Sequence, residues 1–186
     1  LHQDLTVEKN LRLFASIFET SLEENYDWIR DIYQQIEPFK NRKAGNLSGG
    51  MKQKLALSCA MIHRPDILFL DEPTTGVDPV SRREFWDMLD KLHEDGITIL
   101  VSTPYMDEAL RCGRIGVIQN GQLLGTDTPE KITQQYSKPL FSIKGPNIYQ
   151  LLSILRKHPQ CHSAYSFGSE VHFSSGKMDE HAIIKF

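Results

Sequence analysis

A chain of 186 residues suits one domain of ordinary size, or one with a small appendage. Its 40% hydrophobic and 24% charged residues are those of a globular protein, and a net charge of −3 gives no support for a nucleic-acid-binding surface, so no nucleic-acid partner is expected. No apolar run approaches the ~18 residues that a transmembrane helix needs, and the start, LHQDLTVEKNLRLF, lacks the basic-then-apolar order of a signal peptide.

Val7, Leu11, Phe14 and Phe18 recur at helical spacing, which predicts an amphipathic helix over 6–19. Ser21 and Glu24 have the spacing of a capping box for a second helix, lined by Leu22, Ile29, Ile32 and Ile36 and stopped by Pro38. After the polar stretch KNRKAGN, a third helix is expected from about Ser48 to His63, with Leu55, Cys59 and Ile62 on one side. The run DILFLDE reads as a central parallel strand covered on both faces. Asp78 and Pro79 have the chemistry of an N-cap and first helical residue, and the helix they open is expected to reach about Glu94 with Phe85, Leu89 and Leu92 inward.

The β-branched stretch 97–101 predicts another strand. It runs through Ser102 and Thr103 into Pro104, whose missing N–H ends it. A short helix over 105–111 precedes RIGVIQNGQLLGT, a hairpin turning on Asn120-Gly121. Thr128 and Pro129 open a helix to about Tyr136. Beyond Lys138 the pattern is strand, helix over 146–157, two short strands about Gly168, and the start of a last helix. The three cysteines, Cys59, Cys112 and Cys161, are widely spaced, form no metal pattern and read as reduced thiols of a cytosolic protein. Trp28 and Trp86 read as packing residues, the seven histidines lack ligand spacing, and the acids of DEAL at 107–110 read as helix-start charge.

Two stretches have chemical potential. In LSGGMKQ, residues 47–53, Ser48 caps a helix and Gly49 and Gly50 leave its first amides open to a ligand, the arrangement of a phosphate site. A capped helix after a glycine turn is the plainer explanation of the same residues. In ILFLDE, residues 67–72, Asp71 ends a strand where a carboxylate can hold Mg²⁺ through its water shell, and Glu72 stands where it can polarise a water. Taken alone, that stretch is better explained as a strand ending in solvated acids.

The two stretches follow one another with TTGVDP close behind, and this order is more specific than any part of it. Over residues 1–136 the sequence resembles the nucleotide-binding domain of ABC transporters: LSGGMKQ resembles the signature, ILFLDEP the Walker B strand with its glutamate, TTGVDP the D-loop, and LTVEKNLRLFASIF the start of the helical subdomain. The variant GGMKQ and the C-terminal segment resemble ATPase subunits of drug, polysaccharide or ABC-2-type exporters. The resemblance implies an α/β, P-loop NTPase-like ABC ATPase domain over 1–137, with a helical subdomain over about 1–47 and part of the parallel core over 48–137. A small α+β accessory domain would occupy 138–186.

The resemblance further implies head-to-tail pairing with a second ABC ATPase domain, an integral membrane permease subunit as partner, and a peripheral place on the cytoplasmic face of the cell membrane. ATP and Mg²⁺ are the implied ligands. Ser48, Gly49, Gly50 and Gln53 would meet nucleotide held by the partner domain, Asp71 would hold Mg²⁺, Glu72 would be the general base, and Asp78 would communicate across the dimer.

Two departures qualify this picture. No G-x-x-x-x-G-K-[ST] occurs in the 186 residues, so the phosphate loop is expected upstream of Leu1 and the chain alone is expected to be inactive. Family members usually carry a histidine where this chain has Pro104, which makes its own site degenerate unless Tyr105 or a water substitutes. Alternatives are a soluble ABC-type ATPase of translation or DNA repair, and a non-hydrolysing regulatory subunit. The cargo is not legible.

Overall fold

A computed structural model describes residues 1–135 and 138–175. By compactness it divides into two units, Leu1–Arg111 and Cys112–Phe186.

The first unit opens with α1 (Val7–Ile17), capped by Thr6. Next is α2 (Leu22–Tyr33), on which the Ser21–Glu24 capping box is formed in both directions. Val7, Leu11, Leu22, Ile29, Ile32 and Ile36 are all buried, as their spacing requires. Phe18 is not: it lies half-exposed and stacks on His63 with ring centroids 3.8 Å apart. Helix α2 ends at Tyr33, ahead of Pro38, which instead sits in a 3-10 turn at Glu37–Phe39. Helix α3 (Gly49–Met61) packs against both α1 and α2. Its Cys59 is buried, and burial pushes that thiol up to about 12, so it is an inert core residue.

Strand β1 (Ile67–Asp71) then pairs in parallel with β2 (Thr98–Ser102), in a register that sets Asp71 opposite Ser102. Between them runs α4 (Pro79–Glu94), burying Phe85, Leu89 and Leu92. The expectation that β1 is covered on both faces does not hold within the described residues. Leu68 is buried, whereas Ile67, Phe69 and Leu100 are exposed, Phe69 by 71%. The period of two sends alternate residues to opposite faces, and the described residues clothe one face only. A short α5 (Met106–Ala109) closes the unit.

In the second unit β3 (Ile115–Gln119) and β4 (Gln122–Asp127) form the hairpin expected on Asn120-Gly121. Both turn residues have positive φ, 51° and 74°, as a two-residue primed turn demands. Helix α6 (Pro129–Gln134) follows its Thr128 cap; the Tyr136 to which it was expected to extend lies outside the described residues. Strand β5 (Leu140–Lys144), helix α7 (Ile148–Lys157), and strands β6 (Cys161–Phe167) and β7 (Glu170–Ser175) come next. They make an antiparallel sheet of order β5-β7-β6, with β6 and β7 turning on Gly168. Leu155, Ala164, Val171 and Phe173 form its core. The last helix start expected from sequence falls outside the described residues. No disulfide joins Cys59, Cys112 and Cys161.

Candidate functional site

The carboxyl ends of β1 and β2 bring the acids and the proline together. Asp71 is the last residue of β1 and Ser102 its register partner on β2. The Ser102 hydroxyl donates to Asp71 Oδ1 at 2.5 Å. The Glu72 amide donates to both the Ser102 hydroxyl and the Ser102 carbonyl, each at 3.1 Å. Glu72 itself has φ 43°, in the left-handed region, which costs a non-glycine residue about 1–2 kcal/mol. That turn takes the chain sharply off the strand, and the Glu72 carboxylate accepts from the Thr75 hydroxyl at 3.1 Å. Both acids are exposed.

Asp71 is held by one serine, which leaves the other carboxylate oxygen open among the described residues. No group of three or more ligating side chains exists among them. That donor set fits Mg²⁺, which keeps several waters and takes one or two protein carboxylates plus phosphate oxygens. It does not fit a metal needing a closed protein cage.

The second part of the site is the start of α3. Ser48 is its N-cap, with its hydroxyl accepting from the Met51 amide at 3.4 Å. Ser48 and Gly49 are exposed, and Gln53, one turn on, lies on the Gly49 side of the helix. Gly50 is buried for a reason the sequence does not announce: a Cβ there would sit 2.6 Å from both Cβ and Oγ of Ser81. A Cβ on Gly49 would lie 3.2 Å from the Gly76 carbonyl. The glycine pair therefore lets the start of α3 press against the segment 76–81. Asp78 within that segment caps α4, accepting from the amides of Val80 at 3.1 Å and Ser81 at 3.0 Å. Its bonds from Ser81, the backbone amide first, hold its carboxyl below the usual aspartate range.

Pro104 is exposed just past the end of β2. Its neighbours are fixed: the Tyr105 amide donates to the Thr103 hydroxyl at 3.1 Å, and the Arg82 guanidinium lies over the Tyr105 ring, 4.7 Å from its centroid. Three residues at this end were missed in sequence. Ser102 reads as the tail of a strand, Thr74 only as the first residue of the D-loop-like TTGVDP, and Glu108 as helix-start charge. In the fold Glu108 is buried, whereas its neighbour Asp107 is exposed and pairs with Arg82 at 2.7 Å. A carboxylate five residues after Thr103 was the available signal, but only tertiary contact gives it meaning.

The comparisons with known proteins fit this geometry. The sequence profile of the ABC transporter family matches residues 1–75. A probable multidrug ABC transporter ATP-binding protein, YbhF of Escherichia coli K12, is 41% identical over 149 residues, 79% of this chain and 26% of that protein. The Nod factor export ATP-binding protein I of Burkholderia lata is 36% identical over 167 residues, 86% of this chain and 55% of that protein. The chain thus spans about a quarter of the first relative and about half of the second. Among solved structures, an ATP-binding subunit of an ABC transporter aligns with TM-score 0.63 at 28% identity, covering 73% of this chain and 58% of that one. The cbiO1 protein of Clostridium perfringens, part of the transporter complex cbiONQ, aligns with TM-score 0.61 at 25% identity, covering 71% and 54%.

The fold is therefore that of ABC ATPase domains, the P-loop NTPase class of α/β protein. Within that class, the chain carries the sequence and fold of an ABC nucleotide-binding domain.

Proposed function

We propose that the chain acts within the ATP-binding subunit of an ABC transporter, coupling ATP binding and hydrolysis to transport, most consistently export. The observation that carries this reading is the meeting of Asp71, Glu72 and the Pro104 turn at one end of the β1–β2 pair, with the glycine start of α3 pressed against the loop that leaves it. The export direction is supported by the relatives, whose names refer to multidrug transport and to Nod factor export.

In this reading Asp71, oriented by Ser102, is the protein's ligand to Mg²⁺. Bound there, the ion would neutralise phosphate charge. Glu72 would accept a proton from the attacking water, at a left-handed backbone position that takes the chain off the end of the strand. Ser48, Gly49, Gly50 and Gln53 present the positive end of α3 to nucleotide held by a second ATPase domain. Asp78 fixes the start of α4 beside them. Pro104 occupies the position that a histidine donor takes in the resembling family. It can neither donate nor titrate, so this domain's own site turns over slowly. The partners are a second ABC ATPase domain and an integral membrane permease, with residues 1–47 carrying motion towards the permease from the cytoplasmic face. The division into an ATPase part to 137 and an accessory part from 138 belongs to the same proposal.

Two experiments test the reading. Calorimetry of the 186-residue chain with Mg-ATP is expected to give no low-micromolar dissociation constant, since no phosphate loop lies in it. In the assembled transporter, Glu72→Gln should abolish turnover at the site this domain contributes while the complex still co-purifies with its membrane subunit. Turnover at that site that survives Glu72→Gln, or purification with no membrane protein, would contradict it.

A further inference from the structure

Glu108 is a carboxylate that neither the sequence motifs nor the proposed chemistry uses. It is 2% exposed, as is Thr74, and both are among the few buried polar side chains of the first unit. The Thr74 hydroxyl donates to Glu108 Oε1 at 2.6 Å, and the Thr103 hydroxyl donates to Glu108 Oε2 at 2.6 Å. Arg82 Nε stands 3.5 Å from Oε1.

These three partners come from three places. Thr74 lies in the loop between Glu72 and Asp78, Thr103 immediately precedes Pro104, and Arg82 follows Ser81, the residue against which Gly50 packs. One carboxylate thus has one oxygen on the loop leaving β1 and the other on the loop leaving β2. Thr103 receives the Tyr105 amide as well, so the bond to Glu108 fixes the chain on both sides of Pro104. A buried carboxylate is tolerated only when its oxygens are satisfied, so loss of either hydroxyl leaves the other loop on an under-satisfied anchor.

We infer that Glu108 is a positioning residue: it ties the 72–78 loop to the 102–105 loop, so that a displacement of one, or of the start of α3 through Ser81, is felt by the other. Resting on the proposed ATPase reading, this would set Glu72 and the Pro104 turn as one unit rather than as two independent loops.

The test needs no nucleotide, so its failure is distinct from failure of that reading. Amide hydrogen exchange is measured on the 186-residue chain for segments 72–78 and 102–106, in the original protein and in Thr74→Val, Thr103→Val, Glu108→Gln and Glu108→Ala. Each threonine variant is isosteric and removes one bond on one loop. The expected result is a rise of about tenfold in exchange on the opposite loop as well as its own, with α1 and α2 unchanged. Glu108→Ala should raise both loops together. Glu108→Gln, which keeps one acceptor and gains a donor for the second hydroxyl, should restore most of the protection. Should Glu108→Ala fail to fold, the threonine pair decides the matter. Exchange that rises only on the mutated loop, or a Glu108→Gln variant no better protected than Glu108→Ala, would overturn the inference.

Discussion

Gly50 shows how packing can require a glycine inside a stretch that reads as a ligand motif. Its missing side chain clears space for Ser81, where a Cβ would stand 2.6 Å away. The obstacle is the stem of Ser81, which cannot swing aside as a long side chain can. Gly50→Ala is therefore expected to lower stability by about 1–3 kcal/mol, read by denaturant unfolding, before any nucleotide is added. Ser81→Gly in the same chain should recover a good part of the loss. Equal instability with and without Ser81→Gly would assign the strain elsewhere. Asp78 also carries a local role that its motif does not reveal. Bonds from Ser81 and Val80 hold its carboxyl below the usual range, so the stabilisation is present above the ordinary aspartate value, ~3.9, and is lost as pH falls through the lowered folded one. The Ser81 amide shift should titrate in that acidic window, and Asp78→Asn, still an N-cap, should flatten the titration.

At the scale of elements, the helices were legible because periodicity and caps agree. The Ser21–Glu24 box, the Asp78-Pro79 start and the Thr128-Pro129 start all open helices where local chemistry says they should. The hairpin on Asn120-Gly121 was equally legible, because a primed turn needs the positive φ that both residues adopt. What sequence could not deliver was environment. The apolar run of β1 signals a strand buried on both faces, yet Ile67 and Phe69 are open among the described residues. An exposed apolar sheet face of this kind marks a surface built to be covered. Glu108 was misread for the opposite reason. Its sequence neighbours are those of a solvated helix start, while its burial is set by Thr74, 34 residues away, and by Arg82. The site acids, by contrast, were readable as a pair because a strand end fixes them in sequence order. Their orientation by Ser102 depends on the parallel register with β2 and was not.

For the whole molecule, the proposed function implies an ABC ATPase domain whose own catalytic end is impaired at one position. The signature start of α3 is intact, and the acids are oriented, but the chain carries Pro104 where a hydrogen-bond donor is expected. In the proposed function such a domain would serve a partner's nucleotide better than its own, which predicts unequal turnover at the two sites of an assembled dimer. Removal of one donor to a developing transition-state charge costs about 2.7–4 kcal/mol, or roughly 10²–10³ in rate. The most direct measurement is ATP turnover by the assembled transporter with Pro104→His, scored against the original protein and against Glu72→Gln, in which the site this domain contributes is dead. Turnover is expected to rise by close to that factor at the site this domain contributes, in a manner dependent on Glu72. A rate unchanged by Pro104→His would contradict it, and would mean that the turn after β2 has no part in setting the chemistry.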